Sequence, residues 1–260
     1  MTAPDFPDGV ALVVGAAGAL GAASCRALAR AGSDLALTWR SKEAPVLELA
    51  AELAGHDRPG QGRVLSSHRC DLADRTAPAA LIAEVLAQRG AIHTLVFAAG
   101  ADLGTPWFAE TGTAEWEQAV TIDVHGFFHL AQAILPHFRA RGGGAIVAVT
   151  TGATSRLPPR DVLSAAPKAA VETMVKAIAR EEGRNGIRAN AVAPGWIESG
   201  LGARMLQEAH AGDASRVVKA IPLRRLGRAE DIGEAVAYMA SARASFITGQ
   251  VLTVDGGANI

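Results

Sequence analysis

Val10-Ala11-Leu12-Val13-Val14-Gly15-Ala16-Ala17-Gly18-Ala19-Leu20-Gly21 is the stretch whose reading decides the fold. Five consecutive apolar residues run straight into a glycine, with no polar residue alternating between them. A strand covered on both faces has that pattern, whereas a half-solvated strand alternates. The glycine-rich turn then enters a helix read over Ala19–Ala31, which Gly32 stops. Glycines between a strand and a helix permit a tight turn and let backbone N–H groups approach a pyrophosphate at the helix N-terminus. The same glycines also serve close packing of helix on strand, and this motif alone leaves both readings open.

Outward from that unit the pattern repeats. Strands are expected at Leu35–Trp39, Val64–Cys70, Thr94–Ala98, Ala145–Thr150, Arg188–Ala193 and Val251–Val254. Between them lie helical stretches at Ala44–Ala54, 75–89, 113–141, Ala165–Arg184 and Ala229–Ala240, the fourth-strand crossover bending before Pro136. In the 75–89 helix Leu81, Val85 and Leu86 fall on one side. Asp57–Gly62 reads as a loop, and residues 200–225 as a mobile flap over a pocket. Strands alternating with helices of this length give an α/β fold. It is a doubly wound, mostly parallel Rossmann-type sheet with right-handed crossovers and helices on both faces, in a single domain spanning 1–260.

Composition narrows the class. Nearly half of the 260 residues are hydrophobic, a fifth are charged, and the formal net charge is −1. Such a balance gives no general attraction to nucleic acid or to an acidic membrane. Cys25 and Cys70 are the only cysteines, in no metal-ligand or CxxC spacing, which points to a reducing compartment. The first eight residues carry no basic-then-apolar signal, and no run approaches the roughly 20 apolar residues a bilayer span needs. A cytoplasmic protein is the expectation. His125 and His129 stand four apart on one helix, but two ligands without a supporting set do not make a zinc site, so no metal is expected.

Four further segments join the glycine turn. Asp71, in Cys70-Asp71-Leu72, ends strand three, where a carboxylate can take an adenine amino group. Ala98-Ala99-Gly100 ends strand four with little side chain to obstruct a ligand. Asn190-Ala191-Val192-Ala193-Pro194-Gly195 ends strand six, and the C-terminal stretch Ile247–Gly257 completes the set. In this order and spacing they resemble the short-chain dehydrogenase/reductase family over essentially the whole chain. The resemblance implies that Gly15, Ala17, Gly18, Leu20 and Gly21 border a dinucleotide. It also implies that Pro194, Gly195 and Ile197 border the nicotinamide, and that Ser199 meets its carboxamide. The family's Gly-x-x-x-Gly-x-Gly pattern would put its middle glycine at Ala19, whereas Gly18 stands one place early. It further implies a homotetramer or homodimer built through the 113–141 and 165–184 helices, with the C-terminal segment supporting the packing.

The end of strand two selects the nucleotide. An acid there would bind the ribose hydroxyls of NAD, while a nearby arginine accommodates the 2′-phosphate of NADP. Trp39 occupies the acid's place, followed by Arg40-Ser41-Lys42. Arg40 can pair with phosphate and Ser41 can donate to it, so NADPH is favoured over NADH. The alternative is a basic turn that is merely solvated.

At the catalytic end the sequence departs from the family's Asn, Ser, Tyr and Lys. Pro167-Lys168-Ala169-Ala170 opens the expected helix and anchors Lys168. Four residues before it stands Ser164, thirteen before that Thr151, and the asparagine position holds Asp123. The chain's one tyrosine, Tyr238, falls in a late helix. A lysine can bring a phenol's pKa from about 10 toward the working pH, but a serine hydroxyl is a far poorer acid. Hydride addition to a C=C bond conjugated with a carbonyl avoids that demand, because charge develops on an oxygen that hydrogen-bond donors can hold. Ser-x-x-x-Lys with an aspartate at the asparagine position is similar to the 2,4-dienoyl-CoA reductase branch, and reductases of cyclic enoyl thioesters lose the tyrosine in a similar way.

Read so, Lys168 positions the nicotinamide ribose, Thr151 and Ser164 bind the substrate oxygen, and Asp123 donates or relays a proton. The substrate is expected to be a small molecule: a CoA or carrier-protein thioester, or a cyclic enone. Three alternatives stay open: an NADP-binding scaffold or sensor, a non-redox isomerase, dehydratase or cyclase, and an atypical ketoreductase. Leu201, Met205 and Leu206 in the flap, with Trp107 and Phe108, either line the pocket or pack it down.

Overall fold

The computed structural model describes residues 5–54, 65–210 and 214–260. Seven strands alternate with helices: β1 (Val10–Val14), α1 (Ala19–Arg30), β2 (Asp34–Trp39), α2 (Ala44–Ala54), β3 (Leu65–Arg69), α3 (Ala77–Arg89) and β4 (Ile92–Phe97). The second half holds α4 (Thr113–Ala119), α5 (Gly126–Arg141), β5 (Gly144–Val149), α6 (Val162–Glu182), β6 (Ile187–Pro194), α7 (Gly200–His210), α8 (Ser215–Ala220), α9 (Ala229–Ala240) and β7 (Val251–Val254). All strand pairs are parallel, and the sheet order is β3-β2-β1-β4-β5-β6-β7.

The apolar run of β1 splits by its two-residue period. Val10, Leu12 and Val14 join a core with Leu95, Phe97 and Phe127. Ala11 and Val13 join another with Leu28, Leu35 and Ile232. Both faces of the sheet are therefore covered, which is why polar alternation is absent from the run. Phe97 and Phe127 meet edge to face at 5.4 Å, and each such fully buried ring contributes about 1.5–3 kcal/mol. On the other face α1 and α9 touch backbone to backbone: a Cβ at Gly233 would lie 2.5 Å from the Ala23 carbonyl oxygen.

The chain winds from β1 outward to β3, then crosses to the far side of β1 to form β4. That reversal opens a crevice at the carboxyl ends of β1 and β4, where parallel α/β sheets bind ligands. Glycine-rich turn, Arg40, Asp71, Ala98–Gly100, Thr151 and Gly195 all follow strands at this one edge.

Several boundaries differ from expectation. Val64 and the Asp57–Gly62 loop lie outside the described residues. The long 113–141 stretch is interrupted by a π segment at Val120–His125, while Pro136 sits within α5. The helix expected from Ala165 begins at Val162, so Pro167 lies in its second turn rather than at its start. Proline at a first turn is the commoner arrangement and drew the expected boundary too late. The 200–225 stretch forms α7 and α8, with Leu206 packed against Val217 and Ile221. Of the Leu201 side chain nothing is described.

Candidate active site

The glycines of the first turn divide by task. Gly15 has φ +91°, and a Cβ on it would lie 2.7 Å from the Ala98 carbonyl carbon and the Ala99 nitrogen. Its N–H donates to Thr38 Oγ1 at 3.0 Å. A Cβ on Gly21 would stand 2.1 Å from the Gly15 oxygen. These two positions need glycine because backbone touches backbone. A Cβ on Gly18 would make only an ordinary contact, 3.4 Å from the Gly15 oxygen, and with Ala19 and Leu20 this residue lines the main cavity. Ala17 beside it is exposed. Gly18 caps α1 without a side-chain bond, and no acid occupies the first turn. The first N–H groups of a helix have no carbonyl within it to bind, so this terminus suits an anion.

A second cavity of about 480 Å³ opens at the ends of β2 and β3, lined by Arg40, Ser41, Arg69, Asp71 and Thr121 among others. Arg69 Nε donates to the Arg40 carbonyl oxygen at 3.2 Å, and both residues line this cavity. Asp71 Oδ1 accepts from the Ala73 N–H at 3.1 Å. Leu72 is buried in the core, where Gly126 makes room for it. Arg69 was not singled out from sequence. Its register opposite Trp39, the residue before Arg40, is the signal that could have found it.

The main cavity, about 500 Å³, brings together Asp123, Thr151, Ser164 and Lys168. Lys168 Nζ donates to Asp123 Oδ2 at 3.0 Å, with the two side chains 13% and 3% exposed. Asp123 Oδ1 is buried without a hydrogen-bond partner among the described residues. The π segment carries Asp123 to this point, as such one-turn irregularities do at functional sites. Gly100 passes close to the pair: a Cβ there would lie 3.2 Å from Lys168 Nζ. Ala98 and Ala99 line the same wall. Thr151 Oγ1 accepts from the Ala153 N–H at 3.2 Å, which leaves its own proton to donate. Pro194, Gly195, Ile197 and Ser199 form the opposite wall. Ser199 Oγ is buried and without a partner among the described residues. An orphaned hydroxyl in a cleft floored by small residues fits a group with a carboxamide, and in that respect the cleft fits a nicotinamide.

Four ionisable residues of this cavity escaped the sequence reading: Asp102, Arg160, Asp161 and Arg204. Asp161 is 6% exposed and lines it. Burial pushes the Asp161 carboxyl up to about 6, against the opposing pull of Lys168. Arg160 holds a left-handed φ of +68°, donates Nε to the Thr105 oxygen at 2.6 Å and lies 5.9 Å over the Trp107 ring. Arg204 of α7 pairs with Asp102 and donates to the Leu103 oxygen across the mouth, beside Met205. Phe108 is exposed. Tyr238 lies on α9 with Arg243 over its ring. The rings of His125 and His129 are 6.4 Å apart, and among the described residues no group of three or more His, Cys, Asp or Glu could hold a metal.

Comparison with known proteins supports the same assignment of this architecture. The sequence model of a family described as Enoyl-(Acyl carrier protein) reductase matches residues 15–259. The chain is 35% identical over 254 residues to a cis-4-hydroxycyclohexanecarboxylate dehydrogenase of Sinomonas cyclohexanicum, covering 97% of both. It is 31% identical to a 7alpha-hydroxysteroid dehydrogenase of Escherichia coli (strain K12), covering 87% of this chain and 89% of that one. The crystal structure of acetoin dehydrogenase from Enterobacter cloacae superposes with a TM-score of 0.83 at 29% identity, over 97% of this chain and 96% of the other. With a glycine turn, a crevice at the carboxyl ends of the strands and a matching family over nearly its full length, the chain belongs to the short-chain dehydrogenase/reductase family of nicotinamide-dependent oxidoreductases.

Proposed function

We propose that the protein is an NADPH-dependent reductase of C=C bonds conjugated to a carbonyl, in an enoyl thioester or a cyclic enone. The observation that carries this reading is the donor set around the cavity. Two hydroxyls, Ser164 and Thr151, stand beside a lysine whose ammonium is bound to Asp123. Hydroxyl donors can hold an enolate oxygen as charge develops, whereas protonating an alkoxide asks for a stronger acid than serine.

A bound dihydronicotinamide would supply the hydride. Around it, Ser199 would bind the carboxamide, Gly18 to Gly21 would let the pyrophosphate reach the α1 N-terminus, and Asp71 would take the adenine amino group. Arg40 and Arg69 line the second cavity as candidate phosphate partners and Ser41 as a donor, with Asp71 and Glu117 on the same lining; the arginine at the end of β2 supports NADPH over NADH. Lys168 would position the nicotinamide ribose. In this reading Asp123 fixes Lys168, and the proton comes from another carboxyl.

A second reading, interconversion of a cyclic ketone and its alcohol, is favoured by the Sinomonas relative, whose name gives a hydroxycyclohexanecarboxylate as its substrate. NADPH consumption across matched pairs of cyclic enones, enoyl thioesters and saturated ketones separates the two. Turnover confined to the unsaturated members supports the proposal. Turnover confined to the saturated ketones overturns it in favour of the second reading, and consumption of neither overturns both.

A further inference from the structure

We propose that Asp161 is the proton donor of this cavity, taking the place of the absent phenol. The inference rests on the reductase reading and names the acid that reading needs.

Geometry argues first. Asp161 is the N-cap residue of α6, and its main-chain carbonyl accepts from the N–H groups of Ser164 at 3.2 Å and Ala165 at 2.9 Å. An aspartate in that place ordinarily turns its carboxylate back onto the helix N–H groups. Asp161 makes no such side-chain bond. The carboxyl therefore takes no part in capping, and the residue lines the cavity that holds Ser164, Thr151 and Lys168.

Charge argues second. The ionisable groups lining this cavity are Lys168 further along α6, Asp123 of the π segment, Arg160 just before the helix, Arg204 of α7, and Asp102 after β4. Each cation has a partner of its own: Lys168 binds Asp123, Arg204 binds Asp102, and Arg160 binds the Thr105 carbonyl and lies over Trp107. Asp161 is thus desolvated without an ion pair to repay it, which favours its neutral form. Its carboxyl sits at about 6 as a result. A phenol must be brought down from about 10 to serve near neutrality; a buried carboxyl reaches the same range from below.

The step balances. The β-carbon of the substrate gains a C–H bond from the hydride that the dihydronicotinamide gives up, leaving oxidised nicotinamide. The C=C electron pair moves to form the enolate, whose oxygen takes hydrogen bonds from Thr151 and Ser164. The Asp161 O–H bond then breaks, its electrons remain on the carboxylate, and its proton forms the new C–H bond at the α-carbon. A solvent proton restores the acid.

The test compares wild type with Asp161→Asn and Asp161→Glu in two measurements. Carboxyl NMR of the nucleotide-free protein, labelled at aspartate, should show one carboxyl titrating near pH 6 that disappears in Asp161→Asn. With NADPH and a cyclic enone, wild-type kcat/KM should fall roughly tenfold per pH unit above that value. Asp161→Asn should lower kcat by about 100-fold or more and abolish that limb, while Asp161→Glu restores it. NADPH affinity should stay within about twofold, since the residue is assigned to the substrate side. Wild-type turnover with an Asp161→Asn enzyme that keeps both its rate and its limb overturns the donor role alone. An Asp161 carboxyl titrating near 4 also overturns it. No wild-type turnover of either a cyclic enone or an enoyl thioester overturns the reductase reading and the donor role together, while the NMR titration still reads the carboxyl itself.

Discussion

Replacing Asp161 by asparagine should stabilise the protein, and by an amount that depends on pH in a defined direction. In the unfolded chain this carboxyl titrates at its ordinary 3.8; in the folded chain burial holds it at about 6. Below the lower value both states are protonated and the group contributes no pH dependence. Between the two the folded state holds a proton that the unfolded state has lost, so stability falls as pH rises. Above about 6 the full cost is present. A separation of roughly two pH units corresponds to about 3 kcal/mol at 1.36 kcal/mol per unit. Asparagine keeps the shape and carries no charge, so it escapes the cost. Urea unfolding of both proteins at about pH 3.5 and pH 7.5 reads the effect. The advantage of the variant should widen by about 3 kcal/mol between the two conditions. A difference that is the same at both would refute the reasoning, because it would mean the carboxyl is not held out of water. Lost activity with gained stability is the trade that strained functional groups impose.

Other consequences follow from the same geometry. Arg40→Ala should weaken NADPH binding at least tenfold, or about 1.4 kcal/mol, and leave NADH within about twofold in a fluorescence titration; Arg69→Ala should act in the same direction. Lys168→Met leaves a nearly buried carboxylate unpaired and should cost about 3–5 kcal/mol in chemical denaturation. The double variant Lys168→Met, Asp123→Leu should recover most of it. Gly15→Ala places a methyl against the Ala98 backbone at a φ that side chains avoid, and should cost about 2 kcal/mol or more while abolishing nucleotide binding.

The fold was legible because β1 announces itself. Val10–Val14 is unbroken by polar residues and Gly15 follows at once, so a doubly covered strand and a tight turn were both written locally. Asp123, Thr151, Ser164 and Lys168 were also legible, through their order, and they do share one cavity. What local pattern could not convey was direction. Asp161 carries no signal in sequence, where the helix is expected only from Ala165, four residues later. Only the structure places it at the N-terminus of α6, beside the cavity, with its carboxyl making no cap bond. The π segment was equally missed: Val120–His125 holds four β-branched residues, which weaken an α-helix but do not specify a π turn. Arg69 and Arg204 reach their sites across the sheet and from α7, over distances that periodicity does not encode.

The most direct measurement follows a label. Incubation with NADPH deuterated at the transferable position and a cyclic enone, followed by NMR of the product, shows where the hydride goes. The account predicts a saturated ketone carrying deuterium at the β-carbon. An allylic alcohol with deuterium on the carbinol carbon, or an enone recovered without label, would contradict it.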